Sequence, residues 1–114
     1  MGKPNSALPL SPRVFHILMA LATEPMNGYR LGLRVEESSG GTIRMSPGTL
    51  YENVHRLAEQ GIIQEVPDGS DQKTDGRGQR FYGLTGLGRK VLEAEVARLS
   101  RDVSMAESIL ATPR

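Results

Sequence analysis

The chain has 114 residues and a formal net charge of +1, with 38% hydrophobic and 24% charged residues, the composition of one ordinary globular domain rather than a disordered or fibrous chain. It has no Cys, which excludes disulfides, thiolate metal sites and Cys nucleophiles, and no Trp, so the core falls to aliphatic side chains packed between helices. No apolar run approaches the roughly 20 residues that span a bilayer, and the expected setting is the cytoplasm.

Residues 1–10 lack a hydrophobic stretch and read as a flexible tail rather than a secretory signal. Ser11-Pro12 opens a first helix, because Ser can accept from the free N–H groups of the first turn and Pro loses nothing at its first position. Val14, Phe15, Leu18, Leu21 and Ala22 give it one apolar stripe until Glu24-Pro25 stops it. Asn27-Gly28 opens a second helix with Leu31 and Val35 inward, and Ser38-Ser39-Gly40-Gly41 ends it. Thr42-Ile43-Arg44 is expected as a minimal edge strand. The third helix carries the clearest signals: Ser46 as N-cap, Pro47 next, Leu50, Val54 and Leu57 on one face, and Gly61 as its stop.

Ile62 to Val66 reads as a strand, Pro67 to Gly78 as a polar loop, and Arg80 to Leu84 as the returning strand. Thr85 caps a last helix running to about Leu110, and residues 111–114 form a tail. The expected fold is therefore mainly α with a small β-hairpin. It is a winged helix-turn-helix over residues 11–84, followed by a long C-terminal dimerisation helix at 85–110.

In this order the segments resemble the PadR family of bacterial transcriptional regulators, in its short form with a single C-terminal helix. The resemblance rests on Ile17-Leu18-Met19-Ala20-Leu21 leading to Pro25-Met26-Asn27-Gly28-Tyr29, on Ser46-Pro47-Gly48-Thr49-Leu50-Tyr51, on Arg56 to Ile63, and on Arg80 to Arg89. Glu52 stands where family members often carry Pro, which changes the groove-facing chemistry, and the wing loop is long. The resemblance implies a homodimeric DNA-binding repressor whose C-terminal helix pairs with its counterpart, released in some relatives by a small molecule.

The residues allow that chemistry to be placed. Thr49, Glu52, Asn53 and Arg56 of the third helix are side chains that reach base edges: Arg to guanine, Asn to adenine, Glu to a cytosine amino group. The competing reading is a solvated helix face. From Lys73 to Lys90 five bases face one acid, Asp75. Lys73, Arg77 and Arg80 at this Gly-rich wing suit phosphate or a narrow minor groove, which positions the protein without reading sequence. Tyr29, Ser46 and Tyr51 lie at helix starts; the two Tyr rings read first as packing, with phosphate contact in addition. His55 beside Arg56 reads as a phosphate neighbour or an exposed side chain, and the two His lack the spacing of a metal site.

On the last helix Leu92, Val96, Leu99, Val103, Ala106 and Leu110 step by four and three, a heptad seam. Pairing of this seam, with Phe15 beside it, would make a two-fold dimer suited to an inverted-repeat operator in double-stranded DNA. A small hydrophobic effector would sit against Phe15, Met19, Val96 and Leu99, where it could alter the spacing of the two recognition helices. No cofactor, no metal and no enzymatic chemistry are expected, since no phosphate loop or His-carboxylate spacing is present. The rival to DNA binding is a winged-helix module used for protein contact alone.

Overall fold

The computed structural model describes residues 7–67 and 80–113. In chain order these form α1 (Pro12–Thr23), β1 (Met26–Asn27), α2 (Gly28–Ser38), α3 (Pro47–Glu59), β2 (Ile63–Val66), β3 (Phe81–Leu84) and α4 (Gly86–Ala111). The loop expected from Pro67 to Gly78, with Lys73 and Arg77, lies outside the described residues beyond Pro67.

Each helix begins where a short polar side chain can cap it. Ser11, Asn27, Ser46 and Thr85 accept from the N–H groups of Val14, Arg30, Thr49 and Gly88, and Pro12 and Pro47 follow their caps. The ends of α2 and α3 share one device. The Gly41 N–H reaches the Glu36 carbonyl at 2.8 Å and the Gly40 N–H reaches Glu37 at 3.1 Å, while Ile62 and Gly61 repeat the pattern onto Leu57 and Ala58 at 3.0 Å each. Gly40 and Gly61 hold the left-handed φ values, 65° and 75°, that this close requires.

The first of these closures explains a departure from the sequence reading. Thr42 to Arg44 is not a strand, because its polar groups turn back on α2: the Thr42 N–H and hydroxyl both donate to the Ser39 carbonyl, and the Ile43 N–H donates to Ser39 Oγ. The third strand is β1, the two residues directly before α2. It pairs antiparallel with β3, Met26 opposite Tyr82 and Asn27 opposite Phe81, so the sheet order is β1-β3-β2. Ile63 opposite Leu84 and Val66 opposite Phe81 set the hairpin register.

The core lies between α1, α2, α3 and one face of the sheet, with Ile17, Leu18, Met26, Leu31, Val35 and Ile63 among its most buried side chains. Tyr82 is the aromatic of β3 that enters it, while Phe81 stays half-buried. The first turns of α4 close the core through Val91 and Leu92. They can approach so closely because Gly88 has no side chain: a Cβ there would overlap the Ile62 carbonyl oxygen.

Residues 7–10 differ from the flexible tail expected of them. Ala7, Leu8 and Leu10 pack on the core, and the Leu10 N–H donates to Glu95 Oε2 at 3.0 Å. Glu95 is only 1% exposed, and Arg98 meets both of its oxygens, at 2.6 and 3.0 Å. These charge-assisted bonds hold the Glu95 carboxyl below its ordinary value against the opposing effect of burial. Beyond this knot α4 leaves the body, and every described residue from Arg101 onward is exposed. The projecting helix stretches the molecule to 64 × 34 × 23 Å. No helix among the described residues is long and apolar enough to cross a membrane.

Candidate nucleic-acid interface

The inward face of α3 is spent on the core through Leu50, Val54 and Leu57, which leaves Gly48, Tyr51, Glu52, His55, Arg56 and Glu59 exposed. Asn53 does not join that outer row. It is 9% exposed, and its Nδ2 donates to the Thr49 carbonyl one turn back at 2.9 Å, because its position falls beside Leu50 and Leu57 rather than opposite them. Its amide serves its own helix, which leaves little of it to meet the base edge expected of it. Ser46 and Thr49 are likewise engaged with each other. Ser46 Oγ accepts the Thr49 N–H at 3.2 Å and donates to Thr49 Oγ1 at 3.1 Å.

The charged members of the row differ in their company. His55 Nε2 lies 3.5 Å from Glu59 one turn on, an exposed pair that carries charge on both sides only when the imidazole is protonated. Among the described residues no carboxylate lies within ion-pair distance of Arg56. Arg56 lines a hollow of about 260 Å³ with Gln60, Ser11, Ala7, Pro9 and Leu10, on the flank of α3 nearest the start of α1. On the hairpin, Arg80 reaches Glu65 of the neighbouring strand at 3.5 Å. The pKa of the neighbouring Tyr82 hydroxyl is raised, chiefly by burial, with the positive charge of Arg80 opposing the shift.

The two tyrosines near the helix starts play different parts. Tyr29 is 74% exposed in the first turn of α2. Tyr51 lies across the start of the same helix, with its hydroxyl over Gly28, where a Cβ would overlap it. Sequence reasoning took Gly28 only as the beginning of a helix and missed this second use; the signal available was a glycine beside a cap in a chain that also offers Tyr early in the next helix. Around them the bases of α2 and of the segment after it are opposed by acids: Arg30 and Arg34 by Glu24 at 3.2 and 4.0 Å, and Arg44 by Glu36 at 3.5 Å.

Of the seam residues on α4, Leu92 is a core residue of its own chain and has little surface left to offer. Leu99 is half-buried, and Val96, Val103, Ala106 and Leu110 are exposed; Met105 and Ile109 are exposed too, but the turn of the helix points them away from this seam. Phe15 and Met19 of α1 are half-buried against the core. The expected effector position around Phe15, Met19, Val96 and Leu99 does not coincide with either of two cavities in the described residues, the hollow beside Arg56 and a larger one between α2 and α3. Among the described residues no group of His and carboxylates is placed to hold a metal ion.

Comparison with known proteins gives this geometry a family. The model of the transcriptional regulator PadR-like family matches residues 17–94. The chain is 35% identical over 97 residues to the transcriptional regulator Rv3488 of Mycobacterium tuberculosis, a match covering 82% of this chain and 83% of that protein. It is also 34% identical over 85 residues to an uncharacterized 37.1 kDa protein in a transposon of Streptomyces fradiae, where the match takes 75% of this chain but only 22% of that relative's length. Among solved structures, a PadR family transcription regulator from Clostridium difficile superposes with a TM-score of 0.72 at 20% identity, over 89% of this chain and all of that one. Bacillus subtilis PadR in complex with operator DNA superposes with a TM-score of 0.59 at 20% identity, over 73% of this chain and 45% of that one. The winged-helix fold and the family match agree: this chain belongs to the PadR-like family of transcriptional regulators.

Proposed function

We propose that the chain is a sequence-specific DNA-binding regulator, a cytoplasmic homodimeric repressor of an inverted-repeat operator that a small hydrophobic effector releases. The observation that carries this reading is the outer face of α3, which the rest of the fold leaves uncovered from Gly48 to Glu59 with Tyr29 and Tyr51 at one end and Arg56 on its flank. A helix held this way can enter a major groove, and Glu52 and Arg56 are the exposed side chains on it that can meet base edges. The solved operator complex of Bacillus subtilis PadR supports the use of this fold on DNA. The apolar stripe of α4 beyond the body supports pairing of two copies, since a stripe of this extent is covered by a second helix more readily than it is hydrated. In such a dimer the effector would lie where Phe15 and Met19 meet the Val96 and Leu99 region of the paired helices.

The test is binding of the purified protein to duplexes from the region upstream of its own reading frame and to scrambled duplexes, at several salt concentrations. If Arg56 contacts a base, Arg56→Ala costs roughly 1 to 3 kcal/mol on the operator and far less on scrambled DNA. Arg80→Ala should weaken both alike and flatten the salt dependence. Equal losses on both duplexes make Arg56 a backbone contact and move base reading to Glu52. Unchanged binding in both variants, or no binding by the parent, overturns the DNA-reading surface drawn here.

A further inference from the structure

Between α2 and α3 lies a hollow of about 330 Å³ that the core does not fill. Its floor is open at Gly32, where a Cβ would meet nothing closer than Leu50 Cδ2 at 3.6 Å, while one turn earlier on the same face of α2 the Tyr51 hydroxyl lies over Gly28 and walls that end. Its walls include Tyr29, Leu33 and Tyr51, three of the large apolar side chains this protein leaves exposed. A carboxylate, Glu36, stands among these apolar walls and is half-buried. Its partner Arg44 is held only by an exposed contact of 3.5 Å, a kind of pair worth little and readily exchanged.

We propose that this hollow is a binding site for a small aromatic ammonium compound, whose ring lies against Tyr29, Leu33 and Tyr51 and whose ammonium displaces Arg44 from Glu36. Tyrosine faces attract a cation as well as an apolar ring, and the carboxylate supplies the opposite charge, so one ligand chemistry meets both features of the wall. An aromatic acid would meet Glu36 as a like charge, since Glu36 lines the hollow and Arg44 does not. Resting on the DNA-binding reading, the proposal has a regulatory consequence: the ligand covers Tyr29 at the start of α2 and Tyr51 near the start of the recognition helix α3, so ligand and DNA exclude each other. This site is separate from the effector position at α1 and α4.

The probes are 2-naphthylmethylammonium, the neutral 2-naphthylmethanol and the anionic 2-naphthylacetate, titrated into the DNA-free protein with methyl NMR of Leu33 and Met45 as the readout. The ammonium should bind about five- to tenfold more tightly than the alcohol, and the acetate more weakly than either. Glu36→Gln should remove the preference for the cation while keeping the alcohol. Gly32→Leu should fill the floor and abolish binding of all three, and because Leu favours a helix more than Gly does, the variant should stay folded. Equal affinity for ammonium and alcohol, or parental binding in Gly32→Leu, overturns the site. Displacement of a bound duplex by the ammonium is measured separately. Ligand binding without displacement refutes the competition alone, and failure of the parent to bind any duplex refutes the DNA reading while the titration still decides the site.

Discussion

The approach of α4 to β2 offers a test in which two physical effects have opposite signs. Gly88 lies within the first turn of α4, and a methyl group there would overlap the Ile62 carbonyl oxygen and come within 2.9 Å of Leu84 Cδ1. That carbonyl already accepts the Thr85 N–H at 3.1 Å and the Thr85 hydroxyl at 2.9 Å, so backbone rather than a flexible side-chain end would have to give. Helix propensity alone makes Gly→Ala favourable by up to about 1 kcal/mol. Overpacking costs about 1–3 kcal/mol, and loosening one of the Thr85 bonds adds about 1 kcal/mol. Gly88→Ala should therefore lose about 1–3 kcal/mol net, which at roughly 4–8 °C per kcal/mol lowers Tm by about 4–24 °C. Gly86, two residues earlier in the same helix, has nothing within 4 Å of its would-be Cβ and is the control: Gly86→Ala should leave Tm unchanged or slightly raised. Thermal unfolding followed by circular dichroism reads both variants. A Gly88→Ala protein as stable as the Gly86→Ala control would refute the close approach, and with it the account of how α4 is set on the body.

Three further expectations follow from particular contacts. Because Arg98 and the Leu10 N–H favour ionised Glu95, its folded pKa is lowered, so its contribution is present above the unfolded carboxylate value of about 4.3 and is lost as pH falls through the folded one. Urea midpoints of the parent and Glu95→Gln should then differ at pH 7 and converge in acid, and a gap that persists at low pH would mean the charge is not what holds the knot. Val103, 55% exposed beyond the body, is a cleaner probe of helix pairing than half-buried Leu99; Val103→Asp should sediment as a monomer with its fold intact, and a retained dimer would remove this stripe from the interface. Removing the acid that opposes Arg80 should free the guanidinium for phosphate, so Glu65→Gln should tighten scrambled-duplex binding and steepen its salt slope, and no change would show that Arg80 does not reach DNA.

What could be read from the sequence was set by local chemistry. The four caps, the two prolines after Ser11 and Ser46 and the glycine close at Gly61 are all decided within a few residues, and the helices begin and end where those residues say. Met26–Asn27 escaped because a two-residue strand has no period; only its distant partner, Tyr82 and Phe81, makes it one. Thr42 to Arg44 misled because β-permissive side chains say nothing of a backbone already committed to closing α2. Asn53 was misplaced by residue type, its affinity for adenine outweighing its position beside Leu50 and Leu57. Glu95 was passed over because burial of a carboxylate depends on Arg98 and on a backbone N–H 85 residues away.

The charge pattern of the described surface bears on how such a protein would find an operator. Glu52 and Glu59 flank Arg56 on α3, and the bases nearby are held by acids: Arg30 and Arg34 by Glu24, Arg44 by Glu36, Arg80 by Glu65. Each such exposed pair is worth little, so exchanging its carboxylate for a phosphate costs little once DNA is in place. At a distance the same acids cancel the field that would draw the protein onto any duplex, in keeping with a net charge of +1. Weak attraction to random sequence raises the ratio that matters for search, operator over bulk DNA, but leaves one copy with little affinity of its own. On the proposed reading the stripe on α4 supplies the remedy: joining two weak readers makes the second contact intramolecular, so affinity grows through effective concentration rather than through added charge.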